Sequence, residues 1–222
     1  MSLDPAKLVF EIIAFLFAIS VHESAHAWMA ARCGDPTAYM LGRVTLNPIK
    51  HIDILGSIII PAIGLYYGGY MIGWAKPTPV NPRNFRNIRR DDILTSLAGP
   101  ASNLLVAAFS TLALILISVT SPLGRMLVRG VPMETNSALV PIVYLFQFML
   151  YINVLLAVFN VIPVPPLDGS HVLRHFLPES ALRMYDTMGM VGLLLIFLVG
   201  GRFIAAMMAP IIAFFYGILL KF

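Results

Sequence analysis

The pentapeptide His22-Glu23-Ser24-Ala25-His26 lies inside an apolar run long enough to cross a membrane, and no other feature limits the fold as much. From residue 8 to residue 31 the only ionisable side chains are Glu11 and the three of the pentapeptide. As one helix these 24 residues reach ~36 Å, against a hydrocarbon core of ~30 Å. Two histidines four apart share one helical face, with Glu23 beside the first. At that spacing two imidazoles can hold zinc while a carboxylate handles the proton of a water. Ionisable groups at membrane depth are costly, which argues for a functional cluster over a chance one.

Charged residues make up 12% of the chain and hydrophobic ones 59%, whereas a soluble domain carries about 25% charged residues. An all-α polytopic membrane protein is expected. Further apolar segments cover residues 52–74, 93–120, 139–162 and 188–220. The connectors between them are too short for a separate soluble domain, so residues 1–222 are read as one domain. Its core covers about residues 8–177. A peripheral helical hairpin follows at about 186–220, broken at Gly200-Gly201-Arg202. Residues 38–47, with β-branched and aromatic side chains and a central glycine, predict a short β-hairpin or strand. A cleavable signal peptide is not expected, because the first apolar stretch is too long and carries the motif itself. Cys33 is the one cysteine, which excludes an internal disulfide and a thiolate zinc cluster. Any metal is left to His, Asp or Glu.

The net charge of +4 reads as an orientation signal and not as a nucleic-acid footprint, since the basic residues flank apolar spans. With the end of the first span in the cytosol, and residues 52–74 entering and leaving on one side, 11 Lys and Arg fall on the cytosolic side and 4 opposite. Pro61 and the glycines at 56, 64, 68, 69 and 73 suit such a re-entrant segment better than a lipid-facing helix. The motif then lies roughly a dozen Å from the cytosolic face, from nine residues of ~1.5 Å rise between His22 and Ala31.

A catalytic zinc takes three protein ligands and keeps one position open. Asp168 is the strongest third ligand. Pro163, Pro165 and Pro166 break the chain before it, and a helix can restart over residues 169–176, placing Asp168 at or near the N-cap where the dipole favours a carboxylate. His51, His171 and His175 compete for the same role. His51 and His171 are otherwise candidates to steady a ligand from behind. Asn103 sits in an apolar helix with an amide to satisfy. It can donate to a substrate carbonyl or oxyanion, or bond to a neighbouring helix. Asn153 and Asn160 pose the same choice, and Asn103 and Asn160 are the candidate oxyanion donors.

The segments His22-Glu23-x-x-His26, Ala98-Gly99-Pro100-x-x-Asn103 and Asn160-x-x-Pro163-x-Pro165-Pro166-Leu167-Asp168-Gly169 together resemble the site-2 protease family of intramembrane zinc metalloproteases. Asn47-Pro48-x-x-His51-x-Asp53-x-x-Gly56 and Gly73-Trp74-Ala75-Lys76-Pro77-x-Pro79-Val80-Asn81-Pro82 are similar to its short bacterial and archaeal members. The resemblance covers roughly residues 15–175. It implies a three-helix catalytic core and one zinc ion per chain, bound by His22, His26 and Asp168, with Glu23 as catalytic acid and base. It also implies a multi-pass protein of a prokaryotic cell membrane, and the Lys and Arg distribution sets the active site toward the cytosol. The implied partners are the bilayer and the transmembrane segment of a membrane-protein substrate, with no nucleic acid. The 18 residues at 121–138 are too few for the PDZ-like domain that larger relatives insert there. The alternatives are a membrane metalloprotease cutting juxtamembrane or soluble peptides, and a non-proteolytic zinc transporter or scaffold. A transporter should carry ligands along a path, and one cluster is evident here.

Overall fold

The structure, a computed structural model, describes residues 5–61, 63, 73–131 and 136–222. It is helical throughout: no strand occurs among the described residues. Helix α1 covers Pro5–Cys33. Its end is set by Gly34 at φ 112°, and the Asp35 N–H donates to the Ala30 carbonyl at 2.9 Å, as in a Schellman stop. Glu11, the one ionisable residue outside the motif between residues 8 and 31, takes a hydrogen bond from the Tyr144 hydroxyl.

The hairpin expected at residues 38–47 is not formed. Thr37–Met40 is instead a single helical turn, α2, followed by a turn at Gly42 with φ 67°. Two buried side chains account for the difference. Asp35 accepts the Thr37 N–H at 3.2 Å and the Thr37 hydroxyl at 2.5 Å, which starts a helix where the local sequence favours a strand. Arg43, also buried, sends its guanidinium to the carbonyls of Lys50, Lys76 and Pro77. The chain therefore turns around a buried cation that bonds to carbonyls of residues 50, 76 and 77. A 3₁₀ turn at Pro48–Lys50 and a π-helical turn at Ile54–Ile59 follow.

Much of the segment expected to be re-entrant, at residues 62 and 64–72, lies outside the described residues. Its two flanks are bonded together: the Trp74 N–H donates to the Gly56 carbonyl at 3.1 Å and the Lys76 N–H to the His51 carbonyl at 2.8 Å. Residues 73–81 then run as a strap bonded to Glu23 of α1 and to Asp35 just after it, ending in a 3₁₀ turn at Pro82–Asn84.

Helix α3, Ile88–Thr120, starts where the Asn87 side chain accepts the Arg90 N–H at 3.0 Å. Pro100 therefore sits well inside this helix. It has no N–H to give the Ser96 carbonyl, which loosens the helix beside the motif. After a short helix α4 at Pro122–Val128, α5 runs from Leu139 to Val161. The prolines at 163, 165 and 166 stop it, and α6, Asp168–Arg174, turns back across the end of α5. Gly169 permits that close return, since a Cβ there would stand 2.1 Å from the Val161 carbonyl oxygen.

Helices α7, Glu179–Val199, and α8, Gly201–Leu219, meet at Gly200, where the sequence predicts a break. Helices α1, α3, α5 and α8 are long and apolar enough to cross a membrane. Ala14, Phe15, Ala18 and Ile19 of α1 pack with Met149 and Ile152 of α5. Met208 and Phe215 of α8 close the other side against Ala107 of α3 and Leu150 and Val154 of α5. The small side chains on α1 let the backbones approach closely.

Candidate metal centre and active site

Helix α1 presents His22 and His26 toward α3, with their Nε2 atoms 3.0 Å apart. Asp168, first residue of α6, places Oδ2 3.1 Å from His22 Nε2 and 3.3 Å from His26 Nε2. These three form a group able to hold a metal, and both imidazoles are buried. Gly99 of α3 passes directly behind them: a Cβ there would lie 2.4 Å from His26 Nε2. Glycine is thus what allows α3 to back the centre.

The ring nitrogens facing away from the centre are held. His22 Nδ1 bonds to Asn103 Oδ1 at 2.6 Å, and His26 Nδ1 to the Thr95 carbonyl at 2.7 Å. An oxygen acceptor on each Nδ1 fixes the proton there and leaves each Nε2 lone pair pointing inward. Asp168 Oδ2 is buried with no hydrogen-bond partner. Three electron-pair donors thus converge at 3.0–3.3 Å. They repel unless a cation sits among them. Tetrahedral ligands about 2.0–2.1 Å from zinc stand roughly 3.3 Å apart, so the donor set fits that ion.

Asn103 is fully buried, and its amide donates to Asn153 Oδ1 at 2.7 Å and to the Ala18 carbonyl at 3.3 Å. Of the two uses open to Asn103 in the sequence, the structure shows the bond between helices, with His22 as its target. Asn153 passes the chain on to the Met149 carbonyl at 2.8 Å. Asn160 does line the cavity before the centre, with its amide bonded to the Leu156 carbonyl one turn back. His171 lines the same cavity but pairs with Asp92, at 3.7 Å, as His175 does at 2.7 Å. His51 lies apart. It is fully buried, burial holds its pKa below the ordinary value, and its ring bonds to the Thr45 carbonyl at 2.8 Å.

Glu23 faces a cavity of about 490 Å³ shared with His22, His26 and Asp168 and lined on the strap side by Trp74 and Thr78. Ile19, Leu156 and Phe159 give it an apolar wall. Thr78, Thr95 and Asp92 escaped the sequence reading. Thr78 occupies the variable position of the Pro77-x-Pro79 motif, which is the one signal that pointed near it. Thr95 acts through a backbone carbonyl, which no side-chain pattern marks.

Residues 10–199 match the sequence profile of peptidase family M50. The chain is 34% identical over 190 residues to "Putative zinc metalloprotease YwhC" of Bacillus subtilis, covering 84% of this chain and 78% of that protein. It is 29% identical over 174 residues to "Putative zinc metalloprotease Rip2" of Mycolicibacterium smegmatis, covering 76% and 58%. To the protein of the same name in Mycobacterium tuberculosis it is 29% identical over 197 residues, covering 86% and 67%. No solved structure matches the chain. With a profile match over most of its length and a donor set suited to zinc, the chain belongs to peptidase family M50, the site-2 protease family, and is a zinc metallopeptidase.

Proposed function

We propose that the protein is an intramembrane protease, hydrolysing peptide bonds within or beside the transmembrane segments of membrane-protein substrates. One observation carries this reading. The two histidines and Glu23 lie within α1, itself long and apolar enough to cross a membrane, so the reacting groups are carried at membrane depth.

His22, His26 and Asp168 would hold the zinc, which when bound would supply Lewis-acid chemistry toward a water and the scissile carbonyl. Glu23 takes the proton of the attacking water on its carboxylate and later gives it to the leaving amine. Asn103 and the Thr95 carbonyl keep both imidazoles in the ligating tautomer throughout. Asn160 lines the cavity, and the N–H its amide keeps beside the bond to the Leu156 carbonyl would donate to the developing oxyanion. The apolar wall of Ile19, Leu156 and Phe159 suits the side chains of a membrane-spanning substrate. Such a substrate must unwind locally, because its helix hides each carbonyl in an i to i−4 bond.

The test is a panel of single-span proteins incubated with the purified chain in lipid nanodiscs, with cut positions read by mass spectrometry. Cleavage inside the span is expected. Cleavage confined to soluble flanks would replace this reading with a juxtamembrane or soluble-peptide protease, and no cleavage of any probe would remove it.

The active site is proposed to open toward the cytosol of a prokaryotic cell. The 11-to-4 distribution of Lys and Arg supports this, as do the hydrogen bonds joining the flanks of residues 52–74. Single cysteines at Lys50 and Arg83, in a Cys33→Ser background, should both react with an impermeant maleimide only from the cytosolic side. Reaction from opposite sides would place an extra crossing between them.

A further inference from the structure

We propose that Thr78 is a positioning residue for Glu23, and that the buried Arg43 clamps the strap that carries it. The proposal rests on the assignment of Glu23 as the acid and base. The Thr78 N–H donates to Glu23 Oε2 at 2.9 Å, and the Thr78 hydroxyl stands 2.7 Å from the same oxygen. Both donors converge on Oε2, and among the described residues Oε1 accepts none. The carboxylate is thereby fixed by one oxygen and free to take a proton on the other. The hydroxyl also lies 3.0 Å from the Glu23 backbone carbonyl. It has one proton, and the charged acceptor wins it while Glu23 is ionised.

The local sequence leaves the strap little freedom at this point. Pro77 and Pro79 have no N–H, so Thr78 carries the one backbone donor of residues 77–79, and that donor is spent on Glu23. On one flank Arg43 holds the carbonyls of Lys76 and Pro77, the latter at 2.9 Å. On the other, Asp35 accepts the Asn81 N–H at 2.7 Å. Arg43 and Asp35 are both buried. The guanidinium forms no ion pair among the described residues, and its two terminal nitrogens, Nη1 and Nη2, go to backbone carbonyls of Lys50 and of the strap. A buried cation spent on carbonyls is a costly way to hold an idle loop.

Two measurements on the zinc-loaded full chain test this. The first needs no substrate. Amide exchange at Thr78 should speed up about tenfold or more in Glu23→Ala, because its acceptor is gone. The second uses a single-span probe that the wild type cleaves. Thr78→Val, which keeps the β-branch and the N–H, should lower kcat ~10- to 100-fold, the scale of a hydrogen bond to a charged group. KM and zinc content should stay within about twofold, and Thr78→Ser should recover at least roughly a third of the lost rate, by restoring the hydroxyl. Unchanged exchange in Glu23→Ala would overturn the contact. Wild-type kcat in Thr78→Val, or zinc loss in that variant without rescue by serine, would overturn the positioning role. A wild type that cuts no probe, with Thr78 still responding to Glu23→Ala, would sink the proteolytic reading and leave the contact standing.

Discussion

Replacing Glu23 by Gln should leave zinc in place and lower peptide cleavage by ~10²- to 10⁴-fold, the usual contribution of a positioned general acid and base. The amide oxygen of Gln can still accept the Thr78 N–H and hydroxyl, so the strap should keep its position. The amide cannot take the proton of the attacking water. Metal analysis and initial rates on the purified variant, set beside the wild type, decide the matter. Full cleavage by Glu23→Gln would assign the proton to another group. The remaining carboxylate and imidazole at the cavity wall, Asp92 and His171, would then be the next to test.

The second large effect concerns zinc itself. Asp168→Ala removes one of three ligands and should lower zinc affinity by more than the ~10- to 100-fold typical of losing a group that only orients a ligand. Asn103→Ala is that smaller case, since it frees His22 Nδ1 and leaves all three ligands present. His51→Ala should leave zinc affinity unchanged, because its ring is bonded to the Thr45 carbonyl and stands outside the group of His22, His26 and Asp168. Competition against a graded series of chelators measures the order. If His51→Ala lost zinc while Asp168→Ala kept it, the centre drawn from α1 and α6 would be the wrong one.

The sequence by itself determined the features that rest on local spacing. His22 and His26 share a face because a helix repeats every 3.6 residues, and the burial cost of charge in an apolar span made the cluster functional. The prolines at 163, 165 and 166 had to end α5, and a helix restarts after them, at Asp168, one residue before the Gly169 that the sequence predicts. Gly200-Gly201 likewise marks the junction of α7 and α8.

Tertiary structure decided what depends on partners distant in the chain. Residues 38–47 carry a local preference for a strand, yet Asp35 and Arg43 draw them into a turn around buried charge. That outcome depends on the carbonyls of Lys76 and Pro77, more than thirty residues away. Asn103 was legible as an amide needing a partner, but whether the partner was substrate or imidazole depended on how α3 packs on α1. Gly99 lets them pack closely enough for His22 to be that partner. Thr78 had no signature of its own, because a hydroxyl between two prolines acquires a task only when the strap is folded over Glu23. Helix periodicity and chain breaks are short-range properties that a sequence displays directly. The orientation of a catalytic carboxylate is set by hydrogen bonds across 55 positions, and only packing brings those groups together.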